Sequence, residues 1–337
     1  MKAVAYRQSQ KIDHSESLID VELEAPAPGP RDLLVEVKAI SVNPVDVKVR
    51  ERVDPKGEDK VLGWDVAGVV YGLGTGASRF KIGQEVFYAG TINRQGANAE
   101  LHVVDERIVG RKPASLDFAA AAAMPLTSLT AWELLFDRFA APYGKSGEPG
   151  FLLIVGGAGG VGSMAIQLAR RLTTLTVIAT ASRPETHDWV RNMGAHHVVD
   201  HTKPLVDQVR PLAPQGVAYI MGLTHTEQHF DEIAELIAPE GHLGLIDDPA
   251  TPPDVTRLKG KSAALHWESM FTRSLYQPAS SGRQGRILDE VADLVDAGVL
   301  RTTFKENFGK INAANLQKAH AMIESAQSIG KIVLSGF

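Results

Sequence analysis

Three glycines stand at the spacing that a dinucleotide requires. Phe151-Leu-Leu-Ile-Val155 runs straight into Gly156-Gly-Ala-Gly-Gly-Val-Gly162, so Gly157, Gly159 and Gly162 satisfy GxGxxG. Alone the motif is weak. Here a strand-like apolar run precedes it, a helical stretch from Val161 follows, and a second strand closes the unit at Thr180, which is the context the motif needs. The turn Gly157, Ala158, Gly159, Gly160, Val161 and Gly162 is therefore a candidate pyrophosphate cradle. Gly157 is expected to permit the tight turn, Gly159 to let backbone approach the phosphates, and Gly162 to let helix pack on strand. The helix N-terminus favours the negative charge. The alternative is a glycine-rich βα turn of a flavodoxin-like protein that binds something else.

An NAD-preferring site places a carboxylate about 20 residues further on, against the ribose hydroxyls. That stretch reads Ala179-Thr-Ala-Ser-Arg183-Pro and holds no acid. Ser182 and Arg183 stand there instead. A 2′-phosphate would meet no repelling charge, and a guanidinium can bind it through charge-assisted hydrogen bonds. The expected cofactor is NADPH, although Glu185 is close by and a solvated loop arginine is the plain alternative. Two histidine groups also invite a metal reading: His196-His197-Val-Val-Asp200-His201, and His225 with His229 at i,i+4. Neither has a third ligand at suggestive spacing, so no metal site is expected from them.

These residues need elements to hold them. At 337 residues the chain suggests two domains. It is 44% hydrophobic and 22% charged, with a net charge of −5, which fits a globular protein and offers no basic surface for nucleic acid or anionic membrane. It has no cysteine, which removes disulfides, thiolate metal sites and cysteine nucleophiles together. The N-terminus turns polar within a few residues, unlike a signal peptide. Phe151–Ala169 is uncharged over 19 residues, but its five clustered glycines suit a strand, turn and helix better than a membrane span. A cytoplasmic protein is expected.

The first ~120 residues read as β-rich, with strands at Lys2–Arg7, Leu33–Asn43, Val66–Leu73, Glu85–Ala89 and Leu101–Val104 between Gly/Pro turns. A Greek-key or barrel-like module follows from that punctuation. A helix opens near Ser115, its expected N-cap, and breaks at Pro125. Short apolar strands then alternate with helices from Phe151 to Ile246, the signature of a doubly wound α/β domain. Two amphipathic helices, Arg286–Ala297 and Asn315–Ala326, precede a last strand, Lys331–Ser335, which is expected to return to the first module.

With these residues in view, the chain resembles the medium-chain dehydrogenase/reductase superfamily, in its quinone oxidoreductase branch. The resemblance is carried by Ser41-Val-Asn-Pro-Val-Asp-Val-Lys-Val-Arg50, Leu62-Gly-Trp-Asp-Val-Ala-Gly-Val-Val70 and Phe80-Lys-Ile-Gly-Gln-Glu-Val-Phe87. Met124-Pro-Leu-Thr-Ser-Leu-Thr-Ala-Trp132, the glycine turn, Gly194–Asp200 and Gly330-Lys-Ile-Val-Leu334 add to it. Leu265–Ser274 is similar to a zinc-type alcohol dehydrogenase-like subgroup. The implied architecture is α/β: a GroES-like β-rich catalytic domain over 1–124, a Rossmann NADPH-binding domain over 125–270, and a C-terminal return over 271–337. The cofactor would lie in the cleft between them, and a homodimer is common in the family.

Zinc-dependent members supply a cysteine where this chain has Asn43, and Gly-His-Glu where it has Gly63-Trp64-Asp65. Both ligands are gone, so zinc-polarised alcohol chemistry is not expected. Quinones and α,β-unsaturated carbonyls suit a metal-free site, because conjugation spreads the charge that arrives with the hydride. The resemblance places Asn43 beside nicotinamide and acceptor, where its amide would donate to an oxyanion; an asparagine merely ending a strand before Pro44 is the alternative. Lys48 matches enone and alkenal reductases rather than the bacterial quinone reductases that have tyrosine there. It would stabilise an enolate or contact the nicotinamide ribose, unless it is only solvated. Asp46 would orient Lys48 or Asn43, Thr127 would contact the nicotinamide face, and His201 would lie near the adenosine phosphate. Trp64, Met270 and Phe271 are candidates for an apolar wall or for core. The expected enzyme is a zinc-independent NADPH-dependent reductase of a quinone or an activated enone or enal; a non-catalytic NADPH-binding sensor or crystallin-like protein is the rival.

Overall fold

Alternating apolar residues in short runs between Gly/Pro turns build the N-terminal strands. In the computed structural model, which describes residues 1–337, these are β1 (Lys2–Tyr6), β2 (Ile19–Glu22), β3 (Asp32–Ser41), β4 (Lys60–Val61), β5 (Val66–Leu73), β6 (Glu85–Tyr88), β7 (Leu101–Asp105) and β8 (Gly110–Arg111). Leu33, Val35, Val37 and Ala39 bury every second side chain of β3, the period-two pattern of a pleated strand. Helix α1 (Pro44–Arg52) follows β3 directly. It escapes a pattern-based reading because Asp46 and Arg50 are buried along with Val47 and Val49, so its inner face has no apolar stripe. Helix α2 (Phe118–Ala122) is capped by Asp117, whose carboxylate accepts the Ala120 N–H at 2.7 Å. Ser115 is not the cap: its hydroxyl and N–H both go to Asp296. Pro125 then starts α3 (Pro125–Trp132), the position a helix tolerates proline best.

The second part of the chain is a parallel sheet of β9 (Phe151–Val155), β10 (Thr176–Thr180), β11 (His197–Val199), β12 (Val217–Gly222), β13 (Ile237–Leu245) and β14 (Ala264–Trp267). Its order is β11-β10-β9-β12-β13-β14, the doubly wound 3-2-1-4-5-6 arrangement with its switch point between β9 and β12. Helices α4 (Gly160–Leu172), α5 (Pro184–Met193), α6 (Leu205–Val209) and α7 (Thr226–Leu236) connect the strands. Leu152, Leu153 and Ile154 are fully buried, which accounts for the uncharged run: both faces of the sheet are covered.

Helices α8 (Phe271–Tyr276), α9 (Arg283–Asp296) and α10 (Ala313–Glu324) and strands β15 (Phe304–Asn307) and β16 (Lys331–Ser335) complete the chain. Strand β16 pairs antiparallel with β3, setting Val333 against Ser41 and Leu334 against Ile40. The larger sheet of this unit runs β15-β16-β3-β5-β6-β8, with β7 also on β3, and a smaller one runs β2-β1-β4. Met1–Leu129 and Met270–Phe337 thus form one unit and Thr130–Ser269 the other. The last strand does return to the first module.

Candidate active site

The glycine turn begins where β9 ends. Gly156 has φ +93°, a left-handed conformation that only glycine adopts without strain. The tight turn expected at Gly157 is therefore made one residue earlier. Gly157 serves contact with β10: a Cβ there would lie 2.9 Å from Ala179 Cβ and 3.1 Å from the Thr180 carbonyl oxygen. The Thr180 hydroxyl accepts the Gly156 N–H at 3.0 Å, and its carbonyl accepts that of Gly157 at 3.1 Å. At Gly162 a Cβ would lie 2.3 Å from the Gly156 oxygen, so helix α4 can close on the turn only with glycine there. Gly159, the N-cap of α4, is different: the nearest atom to its hypothetical Cβ is 3.8 Å away. Ala158, Gly159, Gly160 and Val161 keep partial exposure, while Gly157 and Gly162 are buried. The open middle of the turn, its partly exposed residues and the start of a 13-residue helix fit a pyrophosphate.

Beyond β10, Ser182 and Arg183 are half-buried. Arg183 caps α5 through its backbone, donating its N–H to the Thr186 hydroxyl at 3.0 Å. Its side-chain Nε lies 3.1 Å from Glu185, so the acid that shadows the cofactor expectation is the arginine's partner. The Ala181 N–H donates to the Val199 carbonyl at 2.9 Å. This bond sets the Ser182-Arg183 segment beside Asp200 and His201, which follow β11.

In the β-rich unit, Asn43, Asp46, Asp65 and Lys331 meet in one buried polar network, each no more than 4% exposed. Asp46 accepts the Asn43 backbone N–H at 2.8 Å, closing the first turn of α1. The Asn43 amide donates to Asp65 Oδ2 at 3.1 Å and to the Ser41 carbonyl at 3.4 Å. Its oxygen accepts from Lys331 Nζ, which also donates to the Val42 carbonyl at 2.7 Å. Lys331 lies 3.2 Å from Asp65 Oδ2, and Asp65 Oδ1 accepts the Leu126 N–H at 2.9 Å. Burial pushes the Asp46 carboxyl up to about 7, with Asp65 adding to the shift and the Asn43 N–H and Lys331 opposing it. Burial likewise raises Asp65 and lowers Lys331, each resisted by the other's charge.

The family pattern raises the question of zinc at Asn43, Trp64 and Asp65. These side chains do not fit it. Both oxygens of Asp65 already accept hydrogen bonds, Asn43 is held by Lys331, and the Trp64 indole donates to the Thr91 carbonyl at 3.1 Å. An indole N–H has no lone pair to offer, and structural or catalytic zinc wants cysteine, histidine or carboxylate donors. Trp64 packs edge-on to Phe271 at 6.2 Å, both buried, as is Met270. Thr127 is buried and donates to the Met124 carbonyl at 3.1 Å. Lys48, on α1, is half-buried.

Three of the expected residues, Gly157, Gly159 and Gly162, form one turn, and Ser182, Arg183 and His201 adjoin each other beyond the neighbouring strands. Asn43 and Asp46 are brought together with two residues that pattern reading did not single out as a site, Asp65 and Lys331. The only local signal for Lys331 is a charge opening the otherwise apolar run Lys-Ile-Val-Leu.

Residues 29–114 match the alcohol dehydrogenase GroES-like domain and residues 193–334 the zinc-binding dehydrogenase family. The zinc-type alcohol dehydrogenase-like protein of Staphylococcus epidermidis is 36% identical, across 99% of both chains. A solved Rhizobium etli structure, provisionally named a zinc-dependent alcohol dehydrogenase, is 53% identical with a TM-score of 0.95, covering 100% of this chain and 98% of that one. A Pseudomonas syringae quinone oxidoreductase is 26% identical with a TM-score of 0.85, covering 99% of each chain. The GroES-like unit, the Rossmann sheet with its glycine turn, and these full-length matches agree: the chain belongs to the medium-chain dehydrogenase/reductase superfamily and is an oxidoreductase.

Proposed function

We propose that this protein is an NADPH-dependent reductase that delivers hydride to a quinone or an activated enone or enal without zinc. The observation that carries this reading is the buried Asn43–Asp65–Lys331 network, whose donors and acceptors are already paired where zinc-dependent relatives bind metal. Conjugated acceptors need no Lewis acid, because their own π-system spreads the incoming charge. When bound, reduced nicotinamide supplies the hydride; the second hydrogen arrives as a proton from water.

The chain's own residues have distinct tasks. Amides of the Gly157–Gly162 turn and the α4 N-terminus take the pyrophosphate. Arg183, exchanging its ion pair with Glu185 for the ligand, takes the 2′-phosphate. Thr127 contacts the nicotinamide face. Asn43, whose amide hydrogens are both engaged, acts here with Asp46 as a positioning residue that fixes the start of α1. Lys48, on that helix, stabilises the enolate or hydroquinone oxygen as charge develops.

The test follows NADPH absorbance over a panel of quinones, enones and enals, with NADH in parallel. Tighter binding of NADPH than NADH is expected, and Arg183→Ala should narrow the gap by about 10- to 100-fold, the worth of a hydrogen bond to a charged group. Equal affinities in the wild type would refute the NADPH assignment. Lys48→Ala should lower turnover on enones with little change in cofactor affinity; unchanged turnover removes Lys48 from the chemistry. Cofactor binding with no oxidation across the whole panel would favour the non-catalytic rival.

A further inference from the structure

Two histidines that stand apart in the sequence share one place in the Rossmann unit. His201 follows β11 and His229 lies on α7, yet their rings meet edge to face with centroids 6.3 Å apart. His201 Nδ1 is buried and has no hydrogen-bond partner. The Ala181–Val199 backbone bond places Ser182 and Arg183 alongside. This group lies beyond the carboxyl ends of β10 and β11, the side on which open α/β sheets bind ligands.

The charges around His201 come from every packed element. Asp200 adjoins it and pairs with Lys203. His225 and His229 face it from α7, and Arg183 from the start of α5. Arg183 is paired with Glu185. His229 Nδ1 is 3.9 Å from Glu232, but the other Glu232 oxygen already accepts the Leu205 N–H at 2.6 Å. Burial and the neighbouring imidazoles hold His201 below the usual histidine range; burial also lowers His229. Both shifts favour the neutral imidazoles, and His201 has a buried nitrogen with nothing to bond. A phosphate monoester supplies what is missing: an acceptor for an imidazole N–H and a negative charge that favours the imidazolium.

We propose that His201 and His229 close on the 2′-phosphate of NADPH opposite Arg183 and take up a proton from solvent as it binds, so that selectivity for NADPH over NADH rises as pH falls. This rests on NADPH being the cofactor. NADH, lacking that phosphate, should bind with no such dependence. Uptake of one proton makes the ratio of NADH to NADPH dissociation constants rise by up to about tenfold per pH unit.

The experiment measures dissociation constants of both cofactors by nicotinamide fluorescence between pH 6.5 and 8.5, on the full-length wild type, His201→Gln and His229→Gln. Calorimetry in two buffers of different ionisation enthalpy counts the protons taken up. A selectivity ratio that climbs toward pH 6.5 in the wild type and flattens in His201→Gln, with proton uptake lost, supports the proposal. A wild-type ratio above one that does not vary with pH, or a slope that survives in both variants, overturns it and leaves the NADPH assignment standing. A ratio of one at every pH overturns that assignment as well. Circular dichroism of the two variants verifies that a lost slope is not lost structure.

Discussion

Replacing Lys331 with methionine removes the only cation from a buried cluster that holds two carboxyl groups. The ammonium is 4% exposed and is shared among the Val42 carbonyl, the Asn43 amide oxygen and Asp65. Without it, Asp65 keeps the Leu126 N–H at 2.9 Å and the Asn43 amide at 3.1 Å, but has no counter-charge. Breaking one side of a buried ion pair costs about 3–5 kcal/mol. The Val42 and Asn43 oxygens also lose a donor, at about 1–3 kcal/mol for a buried acceptor, and these costs overlap because one group makes all three contacts. Urea unfolding at pH 7 should therefore place Lys331→Met at least 3 kcal/mol below wild type, by that same estimate. If two transitions are resolved, the loss belongs to the unit that contains β3 and β16. The double variant Lys331→Met/Asp65→Asn removes the orphaned charge and should recover at least half of the loss. A single-variant loss under about 1 kcal/mol, within the range of an ordinary surface pair, would refute the claim that this network holds the start of α1.

Further outcomes follow from the turn and from Asp46. Gly162→Ala should destabilise the protein and abolish NADPH binding, because its methyl would meet the Gly156 oxygen at 2.3 Å. Gly159→Ala, with 3.8 Å of clearance, should keep the melting temperature yet weaken NADPH binding at least about tenfold, the loss expected when backbone can no longer approach the pyrophosphate; equal melting losses in both variants would contradict these assignments. The Asp46 carboxyl holds its proton to about pH 7 when folded and to about 3.8 when unfolded. Its stabilising contribution is thus complete at low pH and is lost as pH climbs through that window. Asp46→Asn retains an acceptor for the Asn43 N–H and should shrink the stability difference between pH 4 and pH 8 by at most about 4 kcal/mol; an unchanged difference in chemical denaturation would show that Asp46 does not titrate there.

What was legible in the sequence is what local physics determines. Parallel strands buried on both faces must be short apolar runs, so β9 to β13 were visible, and a strand leading into clustered glycines must turn. The division of labour within the turn was less visible. GxGxxG does not say that Gly156, outside the motif, has the positive φ, or that Gly157 is required for contact with β10. The short edge strands β2, β4, β8, β14 and β15 escape a sequence reading because two to four residues show no period of their own. Helix α1 was missed because its buried face carries Asp46 and Arg50. Arg50 is fully enclosed and paired with Glu324 from α10, and a pattern of apolar residues cannot register a charge buried by such a partner.

The candidate site shows the same boundary from the other side. Asn43 is singled out by the resemblance, which sets it against a metal-binding cysteine and so implies contact with the acceptor. Its surroundings argue otherwise. Lys331 arrives on a strand that the chain reaches only after passing through the whole Rossmann unit, and with β16 paired to β3 its ammonium is held by Val42, Asn43 and Asp65. An asparagine held by an ammonium at its oxygen and a carboxylate at its nitrogen cannot also present that amide to a substrate without breaking a buried bond. In this chain the positions that the resemblance compares with zinc ligands belong to a closed ion network. Under the proposed function, charge developing on the acceptor is met by a group outside the network, and on α1 we propose the half-buried Lys48 for that role.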